Sequence, residues 1–200
     1  MNQLKIKFSG LFIFILFQAH FAQQNKILVF VSQENCYYSE YIVMIAALQA
    51  SGYEVDVRSA TGAPATTYMV PANTTIEETA NTLSGSSYSD FQSQFQSLFG
   101  SPWNSALNNT PMNINVDGRI QDITDISSYK AFVLPGGIGT VDYRIDGTYS
   151  NQGVASMNDV QTAAEKLNEL GLLFLSESKP ILAQCHGASL PVFWRIPATS

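Results

Sequence analysis

Histidine and cysteine are scarce in this 200-residue chain, with two of each. Two cysteines, Cys36 and Cys185, cannot build a disulfide framework, and a chain of this size can stand on its own core. His20 and His186 are too few for a histidine-rich metal cluster. A His-Glu-Cys zinc site would rest on scattered residues without ligand spacing, so no metal or other cofactor is expected. Charge is sparse as well: 13% of residues are charged and the net charge is −6. Lysine and arginine form no cluster, which argues against a nucleic-acid partner, because phosphate binding needs concentrated positive charge. Long apolar runs are missing too. The run Leu11 to Phe17 is too short to cross a bilayer.

That run has its own meaning. Lys5 and Lys7 precede it, and Gln-Ala-His-Phe-Ala follows it, ending at Ala22. This is the layout of a secretory signal peptide over residues 1–22. His20 sits where a small residue is preferred, and a retained membrane anchor is the other reading. The expectation is a secreted or periplasmic protein with no stable membrane insertion after cleavage. It leaves one domain over residues 25–200.

Lys26 to Ser32 is a continuous apolar run and predicts a buried parallel strand. Ser39 is placed to cap a helix that carries Tyr41, Ile42, Ile45 and Leu48 on one face and stops at Gly52. Glu54 to Arg58 predicts a second strand, which completes a βαβ unit. Residues 60 to 128 then break the pattern with Thr, Ser, Asn and Pro. Within this insertion, Phe91, Phe95, Leu98 and Phe99 share one face of a short helix. Asp117-Gly118 signals a hairpin over Asn113 to Ile123. The aromatic residues, with Trp103, either close as a lid or pack on the flank of the sheet. Regular alternation returns with the strand Ala131 to Leu134, a helix Ala155 to Leu170, a strand Ile181 to Gln184 and a helix Ala188 to Trp194. The pattern predicts a doubly wound, flavodoxin-like α/β fold with a mostly parallel sheet. In such a sheet Glu40, Gly137 and Cys185 all follow strands and converge at one end.

Chemistry concentrates at Ile-Leu-Ala-Gln-Cys-His-Gly-Ala-Ser. A strand runs into Cys185 and a glycine two residues later opens a helix, the layout of a nucleophile elbow. The helix start favours a thiolate, and the His186 amide is placed to stabilise an oxyanion. The competing reading is a buried structural cysteine. Pro135-Gly136-Gly137 follows another strand, and the Gly137 amide is a second candidate oxyanion donor. Glu40 either complements its helix dipole or moves a proton for the thiol. The His186 side chain either reaches the sulfur or diverges from it. Cys36, four residues before Glu40, offers a further alternative: a disulfide with Cys185 that blocks the nucleophile.

Five segments resemble the ThiJ/PfpI family, also called DJ-1/PfpI, of the class I glutamine amidotransferase-like superfamily. They are KILVFVS, Glu40 with Gly52 twelve residues on, YKAFVLPGG, the helix before KPILAQ, and AQCHGAS. The Cys-His-Gly form and the insertion look closer to the Hsp31-like and PfpI-like branches. The resemblance implies Cys185 as nucleophile, Glu40 as its carboxylate partner, His186 as catalytic histidine, and the amides of Gly137 and His186 as donors. Relatives with a GGHG turn have histidine where Ile138 stands. The family's fold continues well past the elbow, whereas Ser200 follows it by fifteen residues, so a fragment is expected. Asp142 and Asp146 are substitutes for an orienting acid or plain surface carboxylates. The implied activity is attack on a small carbonyl compound, glyoxalase-like and without a cofactor, or on an acyl or amide bond. A non-catalytic stress protein, a holdase or redox sensor, is the alternative. Expected partners are a small-molecule carbonyl or acyl substrate and, as an open possibility, a second copy in a homodimer.

Overall fold

The computed structural model describes residues 25–67, 88–103 and 113–196. The expected signal peptide, with His20, lies outside them, as do residues 68–87 and 104–112 of the insertion and the last four positions. Among the described residues, no helix is long and apolar enough to cross a membrane.

Five parallel strands form the main sheet, in the order β5-β2-β1-β6-β7. They are β1 (Lys26–Phe30), β2 (Glu54–Ser59), β5 (Gly118–Arg119), β6 (Tyr129–Leu134) and β7 (Ile181–Ala183). Strand β1 is central, and the chain leaves it first for β2 on one side and later for β6 on the other. The strand order therefore reverses at β1, which opens a crevice beyond the carboxyl ends of β1 and β6.

Alternation along β1 divides the core. Leu28 and Phe30 face one layer with Phe132, Leu134, Leu167 and Phe174. Ile27, Val29 and Val31 face the other with Tyr41, Ile42, Ile45 and Phe95. This period of two is what an apolar strand covered on both faces requires. Helix α3 (Met157–Ser176) covers the first face, and its start is fixed by a capping box between Ser156 and Asp159. The predicted inward residues Val160, Ala163, Ala164, Leu167 and Leu170 are all buried. The helix runs six residues past Leu170 because Gly171 is not a stop. It makes room for the Trp194 ring, which an added Cβ would strike.

Helix α1 (Tyr38–Ala50) covers the second face. Its N-cap is Tyr37, not Ser39, and no side chain caps it. Ser39 instead lies inside the first turn, with its hydroxyl buried and unpartnered. Helix α2 (Tyr88–Phe99) packs Phe91, Phe95 and Phe99 with Trp103 into the same layer as α1. These aromatics lie edge-on and tilted against one another. They belong to the flank rather than to a lid over Cys185, which remains exposed.

The hairpin expected at Asp117-Gly118 does not form. Strand β4 (Asn113–Ile114) pairs antiparallel with β3 (Ala65–Thr66), while β5 pairs parallel with β2. Asp117 explains the outcome. Its N–H donates to the Val57 carbonyl at 2.7 Å, and its carboxylate accepts from the Val57 N–H at 2.8 Å. The segment is thereby tied to the edge of β2 before it can turn back. A short helix, α4 (Ser189–Phe193), ends the described chain, after a 3₁₀ turn over Cys185–Ala188.

Candidate active site

Three loops meet in the crevice. The first follows β1 and enters α1, bringing Cys36, Tyr37 and Glu40. The second is Gly136-Gly137 after β6. The third is the elbow at Cys185 after β7. The elbow seats closely: a Cβ on Gly187 would meet the Leu134 carbonyl oxygen and stand 2.8 Å from that of Pro135. Only glycine lets the turn lie this near the end of β6.

Cys185 has φ = 51°. A left-handed backbone at a residue with a Cβ is strained by about 1–2 kcal/mol. The residue is exposed, so the expectation of a sulfur presented on a tight bend holds and a structural cysteine sealed in the core is excluded. Its sulfur lies 3.4 Å from His186 Nδ1, so these neighbours pair rather than diverge. Glu40 approaches from α1. A Cβ on Gly136 would stand 2.7 Å from the Cys185 Cβ, 3.0 Å from the Gln184 carbonyl oxygen and in collision with Glu40 Oε2. Carboxylate and thiol therefore face each other over the bare Cα of Gly136. Glu40 Oε2 is buried with no conventional hydrogen-bond partner, and the facing thiol is held protonated by the carboxylate's charge and by donating toward it.

The thiol pKa is raised above its ordinary value. Burial of the sulfur's inner side is the largest influence. The His186 amide pulls the other way, the Glu40 carboxylate adds to the rise, and the Gly137 amide lowers it again. The net direction is therefore toward the thiol, although the His186 amide at the start of the turn acts toward the thiolate. A four-residue 3₁₀ turn and a five-residue helix follow the sulfur, and a carboxylate opposes whatever they contribute. The amides of Gly137 and His186, the two assigned from the sequence, both act on the thiol in the direction of the thiolate.

Cys36 does not pair with Cys185; both are free thiols. Cys36 is fully buried and its thiol donates to the Gly136 carbonyl at 3.6 Å. Burial, and then the Glu40 charge, push its pKa strongly up. Neither spare carboxylate orients His186. Asp142 accepts from Gln152 Nε2 at 3.0 Å and from Ser150 at 3.1 Å. Asp146 pairs with Arg195. Among the described residues, no group of three His, Cys, Asp or Glu side chains is placed to hold a metal ion.

A supporting network escaped the sequence reading. Gln152 accepts from the Glu34 N–H at 3.3 Å and the Tyr143 hydroxyl at 2.9 Å, and donates to the Gly139 carbonyl at 3.2 Å. Tyr143 in turn accepts from the Gln33 N–H at 3.2 Å. The buried amide thus staples the loop after β1 to the turn after β6. These residues lie far apart in the chain, and no local signal marks them.

No family model and no curated protein matches the sequence. Solved structures do resemble the fold. A ThiJ/PfpI domain protein from Brachyspira murdochii superposes with a TM-score of 0.50 at 18% identity, covering 84% of this chain and 62% of its own. DJ-1beta of Drosophila melanogaster gives a TM-score of 0.49 at 13% identity, over 87% of this chain and 62% of its own. A two-domain protein of Anabaena variabilis, with DJ-1/ThiJ/PfpI-like and ferritin-like domains, gives 0.48 at 14%, over 84% and 32%. The chain therefore spans less than two thirds of the length of these structures. Its fold is that of ThiJ/PfpI domain proteins.

Proposed function

We propose that the chain is a ThiJ/PfpI-type enzyme that adds the Cys185 sulfur to small reactive carbonyl compounds. The observation that carries this reading is one exposed sulfur flanked by two proton-carrying groups, Glu40 and His186, and by two amide donors. Isomerising an α-oxoaldehyde needs just such a set. With methylglyoxal, sulfur bonds to the aldehyde carbon and the thiol proton passes to Glu40 or His186. The oxygen that gains negative charge is held by the Gly137 and His186 amides. The hydrogen on the former aldehyde carbon then leaves as a proton and returns to the neighbouring carbon. The product is a thioester, which water cleaves to lactate, releasing the thiol. Electrons are redistributed within the substrate, so methylglyoxal and water give lactate with no outside oxidant.

The test is incubation of purified protein with methylglyoxal and an assay for lactate. Wild type should form it and Cys185→Ala should not. No lactate from wild type, or equal lactate from both, removes the enzymatic reading. Suppression of protein aggregation that survives Cys185→Ala would then favour a holdase. Export to an extracytoplasmic space remains part of the proposal, and N-terminal sequencing of the mature protein for a start at Gln23 tests it.

A further inference from the structure

One peptide unit joins the two cysteines of this chain without letting them touch. The peptide between Gly136 and Gly137 is trans, as are all those described, so its C=O and N–H point in opposite directions. The carbonyl end receives two donors: the Tyr37 N–H at 3.1 Å and the Cys36 thiol at 3.6 Å. The amide end, Gly137 N–H, therefore points away from Cys36, and on the Gly136 side of the turn the Cys185 Cβ stands 2.7 Å from where a Gly136 Cβ would be. A Cβ on Gly137 would stand 2.7 Å from the Cys36 Cα. Two adjacent glycines rotate easily. What holds the orientation of the peptide is the set of bonds at its carbonyl end.

We propose that Cys36 is a positioning residue: by donating its thiol hydrogen to the Gly136 carbonyl, it keeps the Gly137 N–H aimed at the Cys185 sulfur. The role deepens the proposed reaction and rests on Cys185 being its reactive sulfur. Cys36 suits the task because complete burial keeps it protonated and therefore a donor. A hydrogen bond at the carbonyl also polarises the N–H at the other end of the same amide. The titratable groups that face Cys185 are Glu40 and His186, and those that act on or respond to Cys36 are Glu40 and Tyr41.

The test is the pH–rate profile for iodoacetamide alkylation of Cys185, followed by mass spectrometry of its peptide. Cys36→Ala and Cys36→Val should move the midpoint up and slow alkylation at neutral pH by roughly two- to tenfold, the effect of one net hydrogen bond. Cys36→Ser should restore the wild-type profile, because a hydroxyl donates where the thiol did. A Cys36→Ala profile that superimposes on wild type overturns the role, as does a Cys36→Ser profile that matches Cys36→Ala. Should the apolar variants lose a cooperative melt, the wild type decides. Its Gly137 amide resonance must titrate with the Cys185 midpoint, and an unmoved resonance overturns the proposal. None of these readouts needs turnover, so a failure with methylglyoxal leaves this test standing and separate.

Discussion

Glu40 and Cys185 face each other across Gly136, a position without a side chain. The contact brings a carboxylate from the first turn of α1 to a thiol at the end of β7. It exists only while Gly136 remains a glycine. Gly136→Ala should therefore part the two groups and lower turnover by about 100-fold, as small misplacements of reacting groups do. Circular dichroism should stay near wild type. Full activity in Gly136→Ala would mean that the contact is not used.

The same pair makes a prediction with opposite signs in two assays. The Glu40 charge raises the pKa of the Cys185 thiol, so Glu40→Gln should lower it. Alkylation of Cys185 at neutral pH should then quicken, while lactate formation falls by about 10²- to 10⁴-fold through loss of a proton carrier. A variant slowed in both assays would show that Glu40 acts on the sulfur in some other way.

Asp56 lies 2% exposed in the middle of the sheet. Desolvation pushes its carboxyl up. Hydrogen bonds from Arg58 and Tyr129, the charge of Arg58 and a contact with Lys26 at 3.2 Å outweigh that, and the net direction is down. A carboxyl lowered in the folded state stabilises the fold above its unfolded pKa, and that contribution fades as pH falls through the folded value. Asp56→Asn should lower stability by about 2 kcal/mol at pH 7, discounted because Lys26 and Arg58 are partly solvated. Denaturant titrations at pH 7 and at pH 3 should show the gap narrowing in acid. A constant gap would assign the loss to packing.

Asp117 ties the end of the insertion to β2 through Val57. Asp117→Ala leaves the partly buried Val57 N–H without its acceptor and should lower stability by about 1–3 kcal/mol. Hydrogen exchange should rise at Gly118 and Arg119 first, since β5 is the short edge strand that depends on the tie. Uniform protection across β2 and β5 would contradict this.

Most of the sheet was legible because β1 and β6 are apolar runs, β2 alternates, and the helices are periodic. The site was legible for a related reason. Glu40, Gly137 and Cys185 each follow a strand, and parallel strands deliver their ends to one place. Asp117-Gly118 misled because a turn signal is local, whereas the carboxylate of Asp117 found a tertiary partner. The contact of Cys36 with the Gly136 carbonyl and the Gln152 staple join residues about a hundred positions apart. No spacing rule reaches that far. The Cys185 thiol pKa depends on a carboxylate whose distance only the fold determines.

The left-handed backbone at Cys185 has a consequence for inheritance. Glycine would occupy that bend at ease, so replacement of Cys185 by glycine should melt higher than replacement by alanine. Mutational drift that sought only a sturdier domain would discard the sulfur first. A cysteine that persists against this gradient in descendants of the chain is there for its reactivity.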